Sequence, residues 1–233
     1  MVQESMIEER TDVLPILQSK DEIKAFYNKI ARVYDLLAER SEQRLRDRAI
    51  DVLDPRPGEQ LLEIGCGTGH TLATLAWEVG PRGNVEGVDV AENMVALARR
   101  LIESERLTDR AYAICADAES LPFPSESRDG IIMIFTLELF DTPAIAQVLA
   151  ECQRVLRPGG RLVVAGLSKE GTRGLLERAF EWTHRHFPNL MDCRPVFLRQ
   201  AVESAGFVIE DAIVDRMWVS VEIVRGEKPA GAG

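Results

Sequence analysis

Four cysteines, Cys66, Cys115, Cys152 and Cys193, stand in 233 residues with no paired metal-ligand spacing, so no metal centre is expected and, at this length, no disulfide scaffold. Reduced thiols are the default. Lys and Arg are outnumbered by Asp and Glu, 28 against 38, and the resulting net charge of -10 argues against a surface that tracks phosphates. Nucleic-acid binders usually carry a basic stripe that releases counterions, so no nucleic-acid partner is expected. Nowhere does an apolar run reach the about 18 uninterrupted residues of a membrane-spanning helix. Met1 to Arg10 is rich in Glu and lacks the basic stretch and apolar core of a leader, which makes a cytoplasmic protein the expectation. Repeats and low-complexity tracts are absent, and 228–233 alone reads as a flexible tail.

A hydrophobic content of 45% in a chain of this length can bury one sizeable core. Asp21 to Arg40 reads as a helix, with Ile23, Phe26, Ile30, Val33 and Leu37 at helical spacing, and a second, polar helix follows to Leu53, stopped by Pro55 and Pro57. There the period changes. Leu61–Ile64, Val85–Val88, Tyr112–Cys115, Gly130–Phe135 and Leu162–Leu167 are short apolar runs that read as buried strands, with amphipathic helical stripes between most of them. Pro195 to Ala205 reads as a helix closed by Gly206, and Phe207–Val214 with Trp218–Arg225 as a hairpin. Strand and helix in alternation imply a parallel sheet with right-handed crossovers. The expected fold is α/β: a Rossmann-like, doubly wound, seven-stranded mixed sheet with a C-terminal antiparallel hairpin and N-terminal capping helices.

The densest signal is Leu61-Leu62-Glu63-Ile64-Gly65-Cys66-Gly67-Thr68-Gly69, an apolar strand running into alternate glycines and then a helix. Glycine serves where a turn is tight and a ligand must approach the backbone; an ordinary strand-to-helix turn is the plain alternative. Nicotinamide enzymes share the neighbourhood, but their G-x-G-x-x-G would put the third glycine at position 70, where this chain has His70. Asp89 ends the second strand about 20 residues on, where a carboxylate accepts from both ribose hydroxyls. Asp117, after the third strand, is placed to accept from an exocyclic adenine amine. Glu63, Asp89 and Asp117 thus fall at the carboxyl ends of consecutive strands, the edge at which open α/β sheets bind ligands.

Together with the Leu121-Pro122-Phe123 loop and Arg154-Val155-Leu156-Arg157-Pro158-Gly159-Gly160, these features make the run from Leu61 to Leu167 resemble a class I S-adenosylmethionine-dependent methyltransferase. The resemblance implies S-adenosyl-L-methionine as cofactor, with Gly65, Gly67 and Gly69 receiving its methionine end, Asp89 the ribose and Asp117 the adenine. Val90, Met94, Ala118 and Phe135 are assigned to it as flanking contacts. Tyr27, Ala31, Tyr34 and Asp35 match the F/Y-x-x-x-A-x-x-Y-D pattern of the ubiquinone and menaquinone biosynthesis C-methyltransferase branch, and the last strand with Gly226-Glu227-Lys228-Pro229 fits it too. Tyr27 and Tyr34 share a helix face, either to cover the cofactor or simply to pack the helix on the body. The domain plan is an extension over 1–20, a helical cap over 21–54, a methyltransferase domain over 55–227 with an acceptor-binding insertion at 168–194, and the tail.

Glu63 and Cys66 depart from the quinone branch, as does Thr136-Leu137-Glu138 after the fourth strand, so the acceptor stays open between quinones and other small or lipid-like molecules. The Asn/Asp-Pro-Pro-Tyr element of base-amine methyltransferases is missing, which weakens a DNA acceptor. Displacement at a sulfonium needs alignment and exclusion of water more than a catalytic triad. Glu138 is the candidate to take a proton or orient the acceptor, contact with cofactor or solvent being its other reading. His184 and His186 have suitable intrinsic pKa values or are packing residues of the insertion. Trp182 to Arg194 is read as acceptor recognition, with an amphipathic cover helix as the rival. Two other functions stay open: cofactor binding without turnover, and nucleotide-linked oxidoreduction.

Overall fold

The computed structural model describes residues 19–170, 194–216 and 220–230, with the side chains of 20, 31–42 and 216 excepted. Its spine is one sheet of seven strands: β1 (Gln60–Ile64), β2 (Asn84–Asp89), β3 (Ala111–Cys115), β4 (Arg128–Ile134), β5 (Leu156–Leu167), β6 (Val208–Arg216) and β7 (Ser220–Glu227). Strand order is β3-β2-β1-β4-β5-β7-β6, with the first five parallel and β7 lying antiparallel between β5 and β6. The helices are α1 (Lys20–Leu53), α2 (His70–Val79), α3 (Glu92–Ser104), α4 (Thr142–Val155) and α5 (Leu198–Ser204).

Alternation along each strand sends neighbours to opposite faces, and both faces are covered. Leu61, Val85, Ile132 and Val163 pack with α2 and the second half of α1, where Leu45, Ala49 and Leu53 are buried. Leu62, Ile131 and Val164 pack instead with Val148 and Cys152 of α4 and Val202 of α5. The mixed, doubly covered sheet and its antiparallel end are those expected from the alternating pattern.

Several boundaries differ from expectation. One helix of 34 residues replaces the expected pair, because nothing between Arg40 and Glu42 breaks it; Ser lowers helix propensity only modestly. It begins with a capping box, in which Ser19 Oγ accepts from Glu22 N–H and the Glu22 carboxylate accepts from Ser19 N–H, and it ends at Asp54 in the left-handed region before Pro55. The helix expected over Pro195 to Ala205 shrinks to α5, since Val196 is drawn out as extended chain, bridging Ser168 and exchanging backbone hydrogen bonds with Leu167 and Lys169. Between Arg128↔Leu156 and Gly130↔Arg161 the register of β4 and β5 shifts, so Arg157 to Gly160 loops out opposite Asp129. Lys228, expected as the first residue of the tail, is tied down: its N–H donates to Gly160 O at 2.8 Å and Nζ to Leu156 O at 2.7 Å. No helix among the described residues is long and apolar enough to cross a membrane.

The last carbonyls of α1 have no helical partners, and two guanidinium groups from the sheet satisfy them. Arg161 Nε donates to Leu53 O and Nη2 to Asp54 O at 2.7 Å, while Nη1 and Nη2 form a fork on the Glu59 carboxylate at 2.9 and 2.6 Å; Arg225 Nη1 reaches Val52 O at 2.9 Å. Arg161 is buried and Glu59 half-buried, their side chains 9% and 16% exposed. Replacing Arg161 by Met strands a half-buried carboxylate and two backbone acceptors, so a loss of about 3 kcal/mol is expected. Urea unfolding measures it; a loss below about 1 kcal/mol would place the pair with ordinary surface salt bridges.

Candidate functional site

Strand order reverses between β1 and β4, and the carboxyl ends of the parallel strands open there into a cavity of about 640 Å³. Its floor is the loop after β1. Gly65 and Gly67 lie in the left-handed region, at φ 75° and 49°, and both line the cavity. They differ in kind: a β-carbon on Gly65 would sit 2.2 Å from Thr136 Oγ1, whereas one on Gly67 would meet nothing within 4 Å. The Gly65 and Cys66 N–H groups donate to Val88 O at 2.8 and 3.0 Å, which sews the loop to the end of β2.

Asp89 completes that seam. Its Oδ2 accepts from Gly67 N–H at 2.9 Å and its Oδ1 from Ala91 N–H at 2.8 Å. Burial pushes its pKa above the ordinary carboxylate value, against the backbone N–H groups of Ala91, Gly67 and Val90, which favour the charge. Asp117, on the next wall, accepts from Glu119 N–H at 3.0 Å in a side-chain turn that presents Ala116, Asp117 and Ala118 to the cavity. Val90, Met94 and Phe135 also line it.

Ser19, Ile23 and Tyr27 bring the first turns of α1 to the same cavity. Tyr27 packs on Ala91 and Met94, with Phe26 edge-on at 5.5 Å. Polar contacts hold this end to α3: Asn28 Nδ2 donates to Glu92 Oε2 at 3.1 Å, Asn93 N–H to Asn28 Oδ1 at 2.9 Å, and Lys24 pairs with Glu92. The Lys24 ammonium, with its own N–H and Asn28 adding to it, holds the Glu92 carboxyl well below the usual range.

Three expected cofactor or catalytic residues face elsewhere. Glu63 does not join Asp89 and Asp117 at the ligand edge; the pleat puts it on the face of Leu61, buried against the first turn of α2, where the Thr71 hydroxyl and Leu72 N–H donate to it. Gly69 is a packing glycine, its missing β-carbon leaving room for Ala98 Cα, which would otherwise be 2.9 Å away. Glu138 is not at the pocket edge. It lies wholly buried in the short 3-10 turn Leu137–Leu139, its carboxylate accepting from Leu167 N–H at 3.0 Å, while the next residue, Leu139, faces the cavity. The side chain of Tyr34, both His184 and His186, and Trp182 to Cys193 lie outside the described residues.

Residues not anticipated from the sequence complete the far wall: Thr136, Leu139, Phe140, Asp141, Pro143 and Gln147. A signal existed. Asp141-Thr142-Pro143 is a helix start, Asp141 Oδ1 accepting from Ala144 N–H at 2.9 Å, and a helix that starts just past β4 aims its first turn at the ligand edge.

A methyltransferase domain profile matches residues 61–160. Ubiquinone/menaquinone biosynthesis C-methyltransferase UbiE of Hahella chejuensis (strain KCTC 2396) is 32% identical over 172 residues, 72% of this chain and 68% of that protein. Methyltransferase GfsG of Streptomyces halstedii is 39% identical over 138 residues, 59% of this chain and 48% of that protein, so the chain spans about half the length of that relative. The crystal structure of the [4+2]-cyclase SpnF superposes with a TM-score of 0.76 over 94% of this chain and 99% of that one, at 20% identity, a likeness of fold. The fold and the site define a class I S-adenosylmethionine-dependent methyltransferase. The chain belongs to that family, and its cofactor is S-adenosyl-L-methionine.

Burial outweighs the donors around Glu63 and the repulsion from Asp89 adds to it, so its pKa is pushed up to about 8. Unfolded, the group loses its proton near 4.5; folded, it keeps that proton to about 8. The folded chain therefore binds more protons across this window, and stability falls as pH rises through it. Glu63→Gln keeps an acceptor and carries no charge, so its stability relative to the parent chain should widen between pH 4.5 and about 8 and be level outside that window. Urea midpoints across the range measure this; a difference independent of pH would show Glu63 ionised throughout.

Proposed function

We propose that the chain transfers the methyl group of S-adenosylmethionine to a small-molecule or lipid-like acceptor, by in-line displacement that releases S-adenosylhomocysteine and, from a protonated acceptor, a proton. The observation that carries this reading is the convergence of Gly67, Asp89 and Asp117 on one cavity at the strand-order reversal. The residues fit the cofactor. Open space at Gly67 leaves a cradle that any β-carbon would fill, and carboxylates stand where hydroxyl and amine donors need acceptors.

In this reading Gly65 and Gly67 receive the methionine end, Asp89 the ribose hydroxyls and Asp117 the adenine amine, with Val90, Met94, Ala118 and Phe135 flanking them. Bound there, the cofactor supplies an electrophilic methyl group on a sulfonium with a neutral leaving group. The chain's own work is alignment and exclusion of water. Tyr27 and Ile23 cover the cavity from α1, while Leu139, Phe140 and Pro143 give the far side an apolar lining suited to an apolar acceptor. Quinones fit that description, as do other ring compounds of similar polarity.

A second reading, cofactor binding in the service of another reaction or of none, is favoured by one observation: the same fold is carried by a protein named as a cyclase. Incubation with methyl-labelled S-adenosylmethionine and an extract of quinones and small metabolites separates the two. Label in an extracted product together with S-adenosylhomocysteine is the expected result; tight binding without transfer of label would favour the second reading.

Calorimetry tests the site itself. S-adenosylmethionine and S-adenosylhomocysteine should bind and nicotinamide dinucleotides should not, and Asp89→Ala should weaken binding by about 1.5–3 kcal/mol, the range for hydrogen bonds to a charged group. Gly67→Ala should fold, at a cost of about 1–2 kcal/mol for a side chain in the left-handed region, yet lose the cofactor. Normal binding by both variants would remove the glycine loop and Asp89 from the site.

A further inference from the structure

One face of α4 is built against the loop that follows Asp117. Gln147, Glu151 and Arg154 are spaced four and three apart, so they form a row along the helix. Each holds backbone. Gln147 Nε2 donates to Glu119 O at 3.2 Å; the Glu151 carboxylate accepts from Leu121 N–H at 2.7 Å; Arg154 donates through Nη2 to Leu121 O at 3.0 Å and through Nη1 to Phe123 O at 2.7 Å. Arg154 and Glu151 also lock each other in a fork, at 2.7 and 2.8 Å. Below the last rung the Arg128 guanidinium lies over the Phe123 ring, 4.4 Å from its centroid, and Leu121 and Phe123 are buried. Together these bonds and this stacking fix the segment Glu119 to Phe123, whose first residue is bonded to Asp117 and lines the cavity.

We propose that Glu151 and Arg154, with Gln147, are positioning residues for the adenine end of the site: they set the loop that aims Asp117, and so determine how sharply the protein distinguishes a 6-amino purine from a 6-oxo purine. The proposal rests on the reading that Asp117 receives the adenine amine. Arg154 matters through its planar fork, which serves two carbonyls and a carboxylate at once; an ammonium on a flexible stem cannot hold all three in one geometry. Loosening the loop lets the Asp117 acceptor drift, and a loosely placed acceptor loses discrimination before it loses binding altogether.

The test compares S-adenosylhomocysteine with S-inosylhomocysteine, which carries an oxo group in place of the amine, by calorimetry on the full chain. The parent chain should prefer the adenosyl form about tenfold or more, the value of one well-placed hydrogen bond to a charged acceptor. Arg154→Lys should bring the preference to within about twofold to threefold, and Glu151→Gln, which keeps the acceptor for Leu121 N–H but removes the ion pair, should fall between. Arg161→Lys is the control, a more deeply buried guanidinium whose partners Leu53, Asp54 and Glu59 lie outside the Glu119 to Phe123 loop; it should lower the Tm and leave the preference intact. An undiminished preference in Arg154→Lys, or an equal drop in Arg161→Lys, overturns the proposal, since the row would then be structural only. Should Arg154→Lys fail to fold, Glu151→Gln, which does not line the cavity, carries the same comparison: a reduced preference supports the proposal and an undiminished one overturns it. A parent chain that binds both compounds equally overturns the placement of adenine at Asp117, and one that binds neither overturns the proposed function; either result removes the basis of the proposal, and neither can be mistaken for its own failure.

Discussion

The arrangement of the site depends on a missing β-carbon. Gly65 leaves the space into which Thr136 packs, and Thr136 sits there because the chain leaves β4 through Phe135 in the left-handed region, φ 50°, with Thr136 Oγ1 donating back to Ile134 O at 2.9 Å. A non-glycine residue in that region is held there by its surroundings; the Phe135 N–H bond to Ala165 O at 2.8 Å and the Thr136 contact supply the hold. Because the turn is tight, Leu139, Phe140 and the start of α4 come over the end of β1 instead of away from it. Two strands that are neighbours only through the reversal of strand order thereby enclose one cavity between them.

Three carboxylates near strand ends illustrate how placement decides chemistry. Asp89 is buried but answered by backbone N–H groups, so it bridges the glycine loop and the start of α3. Asp117 folds its own loop and then depends on α4 to keep that loop still. Glu63, one residue out of phase with the ligand edge, faces the core and holds a proton at neutral pH. Acidic residues at the ends of consecutive strands thus carry a bridge between two loops, a turn and a buried acid. Only the first two belong to the cavity.

The architecture is legible in the sequence because its signals are local and redundant: apolar runs of strand length, amphipathic stripes between them, and glycines where the first strand meets its helix. Asp89, Asp117, Gly65 and Gly67 are legible for the same reason, each lying at the carboxyl end of a strand. Glu63 and Glu138 defeat sequence reasoning because position along the chain says that a residue is near a strand end but not which way the pleat or a 3-10 turn points it. The continuity of α1 is masked by the polar stretch around Ser41, which reads as a break, although the capping box at Ser19 and Glu22 and the stop at Asp54 are the informative marks. Arg154 reads in the sequence only as part of a turn motif. Its bonds to Leu121 and Phe123 cross more than thirty residues of sequence, and no local pattern encodes them.

The two ends of α1 are held by different physics. At Leu53 the helix is fixed by buried guanidinium groups on its last carbonyls and by Leu45, Ala49 and Ile50 in the core. At the other end Tyr27 and Ile23 cover the cavity, held by the solvent-exposed contacts of Lys24 and Asn28 with Glu92 and Asn93. Surface pairs of that kind contribute little, because solvent screens them, whereas breaking the fork at Arg161 leaves a largely buried charge without its partner. Displacing the first turns of α1 therefore demands less than displacing its end. The same helix serves as a strut at one end and as a cavity wall at the other because buried charge secures the first and only surface polar contacts secure the second.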